Sequence, residues 1–419
     1  MNILGLAIVF ALIADFLLQS IADYLNVRHA RLPLPRVLDG LYDESTRDRA
    51  VRHLAASSNV AQVERAVMLL ALLGFWFLGG FGFLDGVVRG YLPEVVSRGL
   101  AYVALLGLGY SLVGVPFDAY RTFRVEQQFG LNRTTMSTFV ADRLKGMVLT
   151  VAIGAPLLAV LLLLFTRVPD IAWLLCWGVT VTFSIGIQFV APTIILPWFN
   201  RFEPMGEGEL RDAIVAYARS VGFSLENVFV MDGSKRSTKG NAFFTGFGRH
   251  RRIALYDTLV ESHPTDELVA VLAHEVGHYR KKHVVRGLAL GVAHNGVLLF
   301  VLSLLLDQPA LYNAFLVDVP SVYTGLVCFV VLLSPLDAAI SLLLNAVTRR
   351  HEFEADRFAV DTAPVAGALS GALKRLSLGH LANPNPHPFY VAVNYSHPAL
   401  AQRLEAIDAL VAARADTGE

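Results

Sequence analysis

The sequence is poor in cysteine and in charge, and both shortages limit what it can be. Its 419 residues include two cysteines, Cys176 and Cys328, each inside an apolar run and neither in a CxxC pair. A disulfide framework or a cysteine-based metal site is therefore not expected. Charged residues make up 17% of the chain, against about 25% in typical soluble domains. This shortage favours a membrane protein.

The chain also has no excess of either sign of charge. Its formal net charge is zero, and no basic block with interleaved aromatic residues marks a nucleic-acid surface. We therefore expect no nucleic-acid partner. No internal repeat or low-complexity stretch divides the chain.

Long hydrophobic runs are what the chain has in abundance. About 20 apolar residues are needed to span a bilayer. Seven segments meet this requirement, at 2–25, 64–86, 99–118, 146–166, 172–195, 286–306 and 322–345. The first carries Asp15 and Asp23 and has no basic residues before it, so we expect a retained membrane helix and not a cleaved signal. The chain is thus predicted to be a mostly α, polytopic protein of a lipid bilayer.

The charges of the loops predict an orientation. The loop near 26–63 has six arginines and the loop near 119–145 has five basic residues, whereas the opposite loops have two, one and none. By the positive-inside rule the basic loops face the cytoplasm, which leaves the N-terminus outside. The predicted parts are an N-terminal membrane domain with five spans (1–195), a cytoplasmic segment (196–285), two further spans (286–345) and a C-terminal cytoplasmic segment (346–419).

The cytoplasmic segment 196–285 reads as a small α+β domain. A helical pattern ends at Gly222, and the short apolar runs "NVFVMDGS", "GNAFFTGFG" and "RRIALYD" predict strands. The stretch "TDELVAVLAHEVGHYRKKH" predicts a helix with Thr265 as its N-cap.

That last helix contains the pattern His-Glu-x-x-His. Residues four apart share one face of a helix, so His274 and His278 can direct two imidazoles at one metal ion. Glu275 lies close enough to reach a water at the open position of that metal. The alternative is a pair of solvated histidines on a helix at the membrane surface.

A catalytic zinc ion usually has three protein ligands, so a third ligand is needed. The stretch "NAVTRRHEFEADRFAVD" (345–361) follows the last span, and Glu352 is the predicted ligand on it. Asp356, four residues later, is expected to accept the distal N–H of a ligand histidine. The alternatives are a charged cap on a membrane helix, or ligation by His283 or His351.

A loop before the final helix carries two further candidates. His397 in "NYSHPALAQRLEAI" is suited to donate to an oxyanion, although a surface histidine before a proline turn would have the same sequence. Arg403 is a candidate partner for a substrate carboxylate or for a nearby acidic side chain of the protein.

Taken together, these motifs resemble the type-I CAAX prenyl protease family of membrane zinc metalloproteases, which are gluzincins. "HEVGH", "RRHEFEAD" and "SHPALAQRL" match its three C-terminal motifs in order, and "FRVEQQFGLNRTT" (123–135) is similar to its N-domain signature. "APTIILPWFNRFEP" and "GNAFFTGFGRHRRIALYDTL" are similar to its segments before the metal helix. The resemblance covers nearly the whole chain.

The resemblance implies seven helices around a large water-filled chamber, with one zinc ion per chain at its cytoplasmic end. It implies that His274, His278 and Glu352 are the ligands, that Glu275 is the base and that His397 assists the transition state. A substrate would pair with the sheet edge beside the metal, at Asn241 and Ala242.

The expected function is therefore that of a zinc-dependent endopeptidase in a bacterial inner membrane or an ER-type membrane. Its expected substrate is a peptide or protein that is prenylated, with removal of the C-terminal tripeptide, or otherwise membrane-associated, as in membrane-protein quality control. Two alternatives are a shorter heat-shock membrane metalloprotease and a non-catalytic seven-helix zinc-binding transporter or scaffold.

Overall fold

The computed structural model describes residues 2–223, 225, 227–245 and 252–417. Within this part of the chain, seven helices are long and apolar enough to cross a membrane, which confirms the predicted number. A small sheet and several short helices lie outside these spans. The predicted class, a mostly α membrane protein with a small α+β domain, is confirmed.

The helices, in chain order, are α1 (Ile3–His29), α2 (Glu44–Phe77), α3 (Gly80–Tyr91), α4 (Val95–Tyr120), α5 (Met136–Leu149), α6 (Ala155–Arg167), α7 (Pro169–Val190), α8 (Leu196–Phe199), α9 (Glu209–Ser220), α10 (Asp257–Ser262), α11 (Thr265–Arg280), α12 (His283–Leu305), α13 (Pro309–Ala314), α14 (Val322–Thr362), α15 (Ala368–Gly379), α16 (Pro388–Asn394) and α17 (Leu400–Thr417). Three π-helical segments continue α4, α5 and α7, namely Arg121–Glu126, Thr150–Gly154 and Ala191–Ile195, and two 3-10 turns are formed by Arg36–Leu38 and Gly233–Lys235.

The second membrane helix differs most from its predicted bounds. The apolar run predicted a span over 64–86, but α2 begins at Glu44, capped by Asp43, and ends at Phe77. Gly79 adopts the left-handed conformation with φ of 75°, so the chain turns there and α3 follows as a separate helix. Hydropathy locates the apolar stretch, whereas caps and turns decide where the hydrogen-bonded helix begins and ends.

Prolines also shape the helices. The helix predicted to have Thr265 as its N-cap has Pro264 there instead, with Thr265 as its first residue. Pro264 is extended, at ψ of 159°, so the helical backbone begins at the next residue. Pro192 lies in one π segment and Pro156 lies two residues after the end of another, where a missing N–H disturbs the regular hydrogen-bond ladder.

The sheet has four strands in the order β1-β2-β4-β3. They are β1 (Phe202–Pro204), β2 (Asn227–Met231), β3 (Ala242–Thr245) and β4 (Arg252–Tyr256). β2 and β4 are parallel, and the other two pairs are antiparallel, with Ala242 opposite Leu255. The short strand β1 was not predicted. Residues 246–251, which include part of the predicted "GNAFFTGFG" strand, lie outside the described residues.

A hydrophobic core fixes α11 between the sheet and the end of α14. Leu255 of β4, Leu272 of α11 and Val360 of α14 are buried in it, together with Ile214 of α9 and Ile407 of α17. α14 is 41 residues long, so it continues from the membrane into this core. The histidines on α11 and the carboxylates on the end of α14 are thereby brought to one place.

Candidate metal centre

The close crossing of α11 and α14 depends on Gly277, inside the His-Glu-x-x-His motif. A Cβ added at Gly277 would lie 3.1 Å from the Cα and from the carbonyl oxygen of Ala355. Any larger residue would therefore separate the two helices. Because the crossing lies between the motif histidines and the Glu352 turn, it sets the distance between them.

His274, His278 and Glu352 form the one group among the described residues in which three metal-ligating side chains converge. The two Nε2 atoms lie 3.1 Å apart, Glu352 Oε1 lies 3.3 Å from His278 Nε2, and Glu352 Oε2 lies 3.6 Å from His274 Nε2. Two ligand atoms at about 2.0–2.1 Å from a tetrahedral zinc ion are about 3.3 Å apart. The three side chains therefore have the mutual spacing that a shared metal ion requires.

Glu352 carries a second sign that these residues fit a metal. The residue is buried, and its Oε2 atom makes no hydrogen bond. His397 Nδ1 lies 2.8 Å and Arg403 Nη1 lies 3.5 Å from that oxygen, but neither makes a hydrogen bond with it. A buried carboxylate oxygen without a hydrogen bond is costly, and a cation between the imidazoles and this carboxylate would remove that cost.

A buried ion pair between Asp356 and Arg403 lies against the Nδ1 side of His274. His274 Nδ1 lies 2.8 Å from Asp356 Oδ1. Arg403 donates to both oxygens of Asp356, at 2.8 Å from Nε and 2.5 Å from Nη2. A carboxylate on the distal nitrogen orients an imidazole and fixes its tautomer. Asp356 therefore lies next to the distal nitrogen of His274, and Arg403 keeps the charge of Asp356 paired.

Glu275 lies one residue beyond His274 and is partly buried. Burial raises the pKa of the Glu275 carboxyl above its ordinary value because the charged form loses hydration, and the nearby Glu352 carboxylate adds to the rise. A carboxyl whose pKa is raised toward neutrality is suited to take up a proton and return it.

The comparisons with known proteins cover both halves of the chain. The model "CAAX prenyl protease N-terminal, five membrane helices" matches residues 23–201, and the model "Peptidase family M48" matches residues 204–411. CAAX prenyl protease 1 of Saccharomyces cerevisiae is 32% identical, over 94% of this chain and 93% of its own. The chain belongs to peptidase family M48. It is a membrane metalloendopeptidase, and the family implies a bound metal ion and peptide or protein substrates.

Two further relatives of this M48 peptidase agree over similar lengths. The CAAX prenyl protease 1 homolog of Arabidopsis thaliana is 33% identical over 95% of this chain and 96% of its own. The crystal structure of S. mikatae Ste24p superposes with a TM-score of 0.92 at 31% identity, and covers 97% of this chain and 100% of that one. The resemblance expected from the motifs is therefore confirmed.

The other predicted residues of the M48 peptidase lie at different distances from the triad of His274, His278 and Glu352. His397 is in the loop between α16 and α17, with its side chain 63% exposed and directed at Glu352. Arg403 is buried against Asp356, so its charge is paired within the protein.

Ala242 begins the edge strand β3, and the exposed residue Asn241 precedes it. β3 packs beside α11, since the rings of Phe244 and Tyr279 are 6.2 Å apart.

The competing ligands of the sequence argument lie outside the triad. The rings of His283 and His351 stack on each other at 4.0 Å, on the side of His278 that faces away from His274 and Glu352. The spacing of His283, five residues after His278, was the signal that could have indicated a supporting role. Sequence reasoning considered it only as a ligand.

Sequence reasoning also missed the clamp between the N-domain and the loop before β3. Arg236 donates to both oxygens of Asp142 on α5, at 2.8 and 2.9 Å, and to the carbonyl of Phe199 at 3.0 Å. Nearby, Lys239 Nζ lies 3.2 Å from Glu126 of the N-domain signature. The edge strand is therefore tied to the membrane domain by charged contacts.

Proposed function

We propose that this peptidase uses one zinc ion, held by His274, His278 and Glu352, to hydrolyse peptide bonds next to the membrane. The observation that carries the proposal is the spacing of the three ligand atoms, 3.1 to 3.6 Å. Two imidazoles and one carboxylate form the ligand set of catalytic zinc sites that keep a position open.

The metal and two nearby residues would each carry out one part of the hydrolysis. Zinc, when bound, supplies a Lewis acid that polarises the scissile carbonyl and lowers the pKa of water. Glu275 takes the proton of the attacking water and returns it to the leaving amine, for which its raised pKa is suited. His397, on an exposed loop beside Glu352, donates to the oxyanion of the tetrahedral intermediate.

The substrate we propose is a prenylated protein whose C-terminal tripeptide is removed. This assignment comes from relatives named CAAX prenyl protease 1. The backbone of the substrate would add to β3, whose pairing among the described residues is with β4 alone. Asn241 and Ala242 stand at the start of that edge and would contact the substrate backbone.

We further propose the orientation and organisation that the loop charges favour. The N-terminus lies outside, and the zinc site faces the cytoplasm. Parts 1–195 and 286–345 form the membrane domain, and parts 196–285 and 346–419 form the catalytic one. The open chamber inside the seven helices, which the resemblance to the family implies, completes this proposed organisation.

The test is cleavage of a farnesylated CAAX peptide and of its unprenylated twin by the purified protein in detergent, with Glu275→Gln as the control. Cleavage that requires both added zinc and Glu275, with a preference for the farnesylated peptide, is the expected result. Equal cleavage of the two peptides would refute the prenyl preference and favour a general membrane-surface peptidase. A protein that binds no zinc would contradict the metal assignment itself.

A further inference from the structure

A histidine outside the triad lies directly behind one of the three proposed ligands. α11 ends at Arg280, and Lys282 adopts the left-handed conformation, with φ of 58° and ψ of 31°. This turn reverses the direction of the chain and brings His283, the first residue of the membrane helix α12, into contact with His278. The His283 side chain is 4% exposed.

Two hydrogen bonds connect His278 through His283 to a carboxylate. His283 Nδ1 lies 3.0 Å from His278 Nδ1, and His283 Nε2 lies 3.1 Å from Glu354 Oε2. His351 stacks flat on the His283 ring, with the planes 12° apart, and so restricts its rotation. Glu354 is on α14, two residues beyond Glu352, so α11, α12 and α14 all contribute to this arrangement.

A metal ion bound at His278 would determine where the protons of these hydrogen-bonded side chains lie. A metal ion bound at His278 Nε2 needs the lone pair of that nitrogen, so the proton of His278 is on Nδ1. His278 then donates to His283 Nδ1, which must be unprotonated. The proton of His283 is therefore on Nε2, from where it is donated to Glu354. With the metal bound, the two imidazoles would be neutral and the Glu354 carboxylate would be ionised.

We propose that His283 and Glu354 are positioning residues for the metal, which hold His278 in the tautomer and ring orientation that ligation requires. This inference rests on the proposed zinc site. Under this proposal a carboxylate orients each of the two ligand histidines. Asp356 orients His274 directly, and Glu354 orients His278 through the imidazole of His283. Supports of this kind typically change metal affinity by about 10- to 100-fold.

The test uses two substitutions of His283 that differ in one hydrogen bond. His283→Phe keeps a flat ring against His351 and removes both nitrogens. His283→Asn has an oxygen close to the former Nδ1 that can still accept from His278. The dissociation constant for zinc is measured on the full-length protein in detergent by competition with a chelator, together with the unfolding temperature of each metal-free protein.

We expect His283→Phe to raise the zinc Kd by about 10- to 100-fold, and His283→Asn to restore it to within about threefold of wild type. Glu354→Ala changes a side chain that is 45% exposed, so it leaves the fold intact, and we expect it to raise the Kd by several-fold. His351→Phe, which keeps the stack and does not touch His278, is the matched control and should leave the Kd unchanged.

Other outcomes would overturn the inference. It is wrong if His283→Phe and Glu354→Ala bind zinc as tightly as wild type. It is also wrong if His283→Asn weakens binding as much as His283→Phe, because packing and not the hydrogen bond would then matter. If wild type binds no zinc, or if His278→Ala binds it as wild type does, the proposed zinc site fails, which is a distinguishable result.

Discussion

Gly277→Ala tests whether the crossing of α11 and α14 sets the metal geometry. The new Cβ would lie 3.1 Å from Ala355 Cα, Ala355 O and Phe358 Cβ, where ordinary contacts begin at 3.4 Å. Two of these three atoms are backbone, so no side chain can rotate away. The helices must therefore separate by about 0.3–0.5 Å, which is more than the tolerance of about 0.2 Å on metal–ligand distances.

Gly277→Ala should reduce the stability of the metal-free protein less than it weakens zinc binding. Overpacking costs about 1–3 kcal/mol, and replacing a helical glycine by alanine returns about 1 kcal/mol, so the metal-free protein loses about 0–2 kcal/mol of stability. The zinc site loses more, because Glu352 moves away from both histidines. We expect the zinc Kd to rise at least about tenfold, which corresponds to about 1.4 kcal/mol.

The assay is chelator competition for zinc, with thermal unfolding of the metal-free protein measured on the same samples. Gly287→Ala is the matched control, since Gly287 is an exposed helical glycine on α12 with nothing within 4 Å of an added Cβ. It should bind zinc as wild type does. A Gly277→Ala protein with an unchanged zinc Kd would refute the argument that this contact sets the ligand spacing.

Three further changes test other parts of the molecule. Glu275→Gln should lower peptide turnover by about 10²- to 10⁴-fold while the zinc Kd stays close to that of wild type, and a variant that keeps its turnover would exclude Glu275 as the base. Asp356→Asn should weaken zinc binding by about 10- to 100-fold, and equal binding by the two proteins would show that the His274 contact does not matter. Arg236→Met leaves Asp142 without its two hydrogen bonds, so the free energy of unfolding should fall by about 1–2 kcal/mol. An unchanged unfolding temperature would mean that solvent screens these contacts.

Much of this architecture could be predicted because it depends on local patterns. The seven spans follow from the lengths of apolar runs, and their number is confirmed. His274 and His278 share a helix face because they are four residues apart, and the same spacing relates Glu352 to Asp356 on α14. The meeting of the two helices followed from the need for a third ligand, and the resemblance to a family supported it. Gly277, whose missing side chain permits that meeting, gave no signal by itself.

The contacts of Arg403 with Asp356 and of His283 with Glu354 could not be predicted, because no short-range pattern relates these residues. Arg403 and Asp356 are 47 positions apart, and His283 and Glu354 are 71 apart. A charged residue in a sequence indicates only that it needs a partner, and a substrate carboxylate satisfies that need as well as Asp356 does. Burial decides between the two: Arg403 and Asp356 have side chains 11% and 1% exposed and approach to 2.5 Å, so their charges are paired within the protein. The proposed ligands and the support by Asp356 could therefore be predicted from the sequence, whereas the contacts of Arg403, His283 and Glu354 became visible only when the helices were packed together.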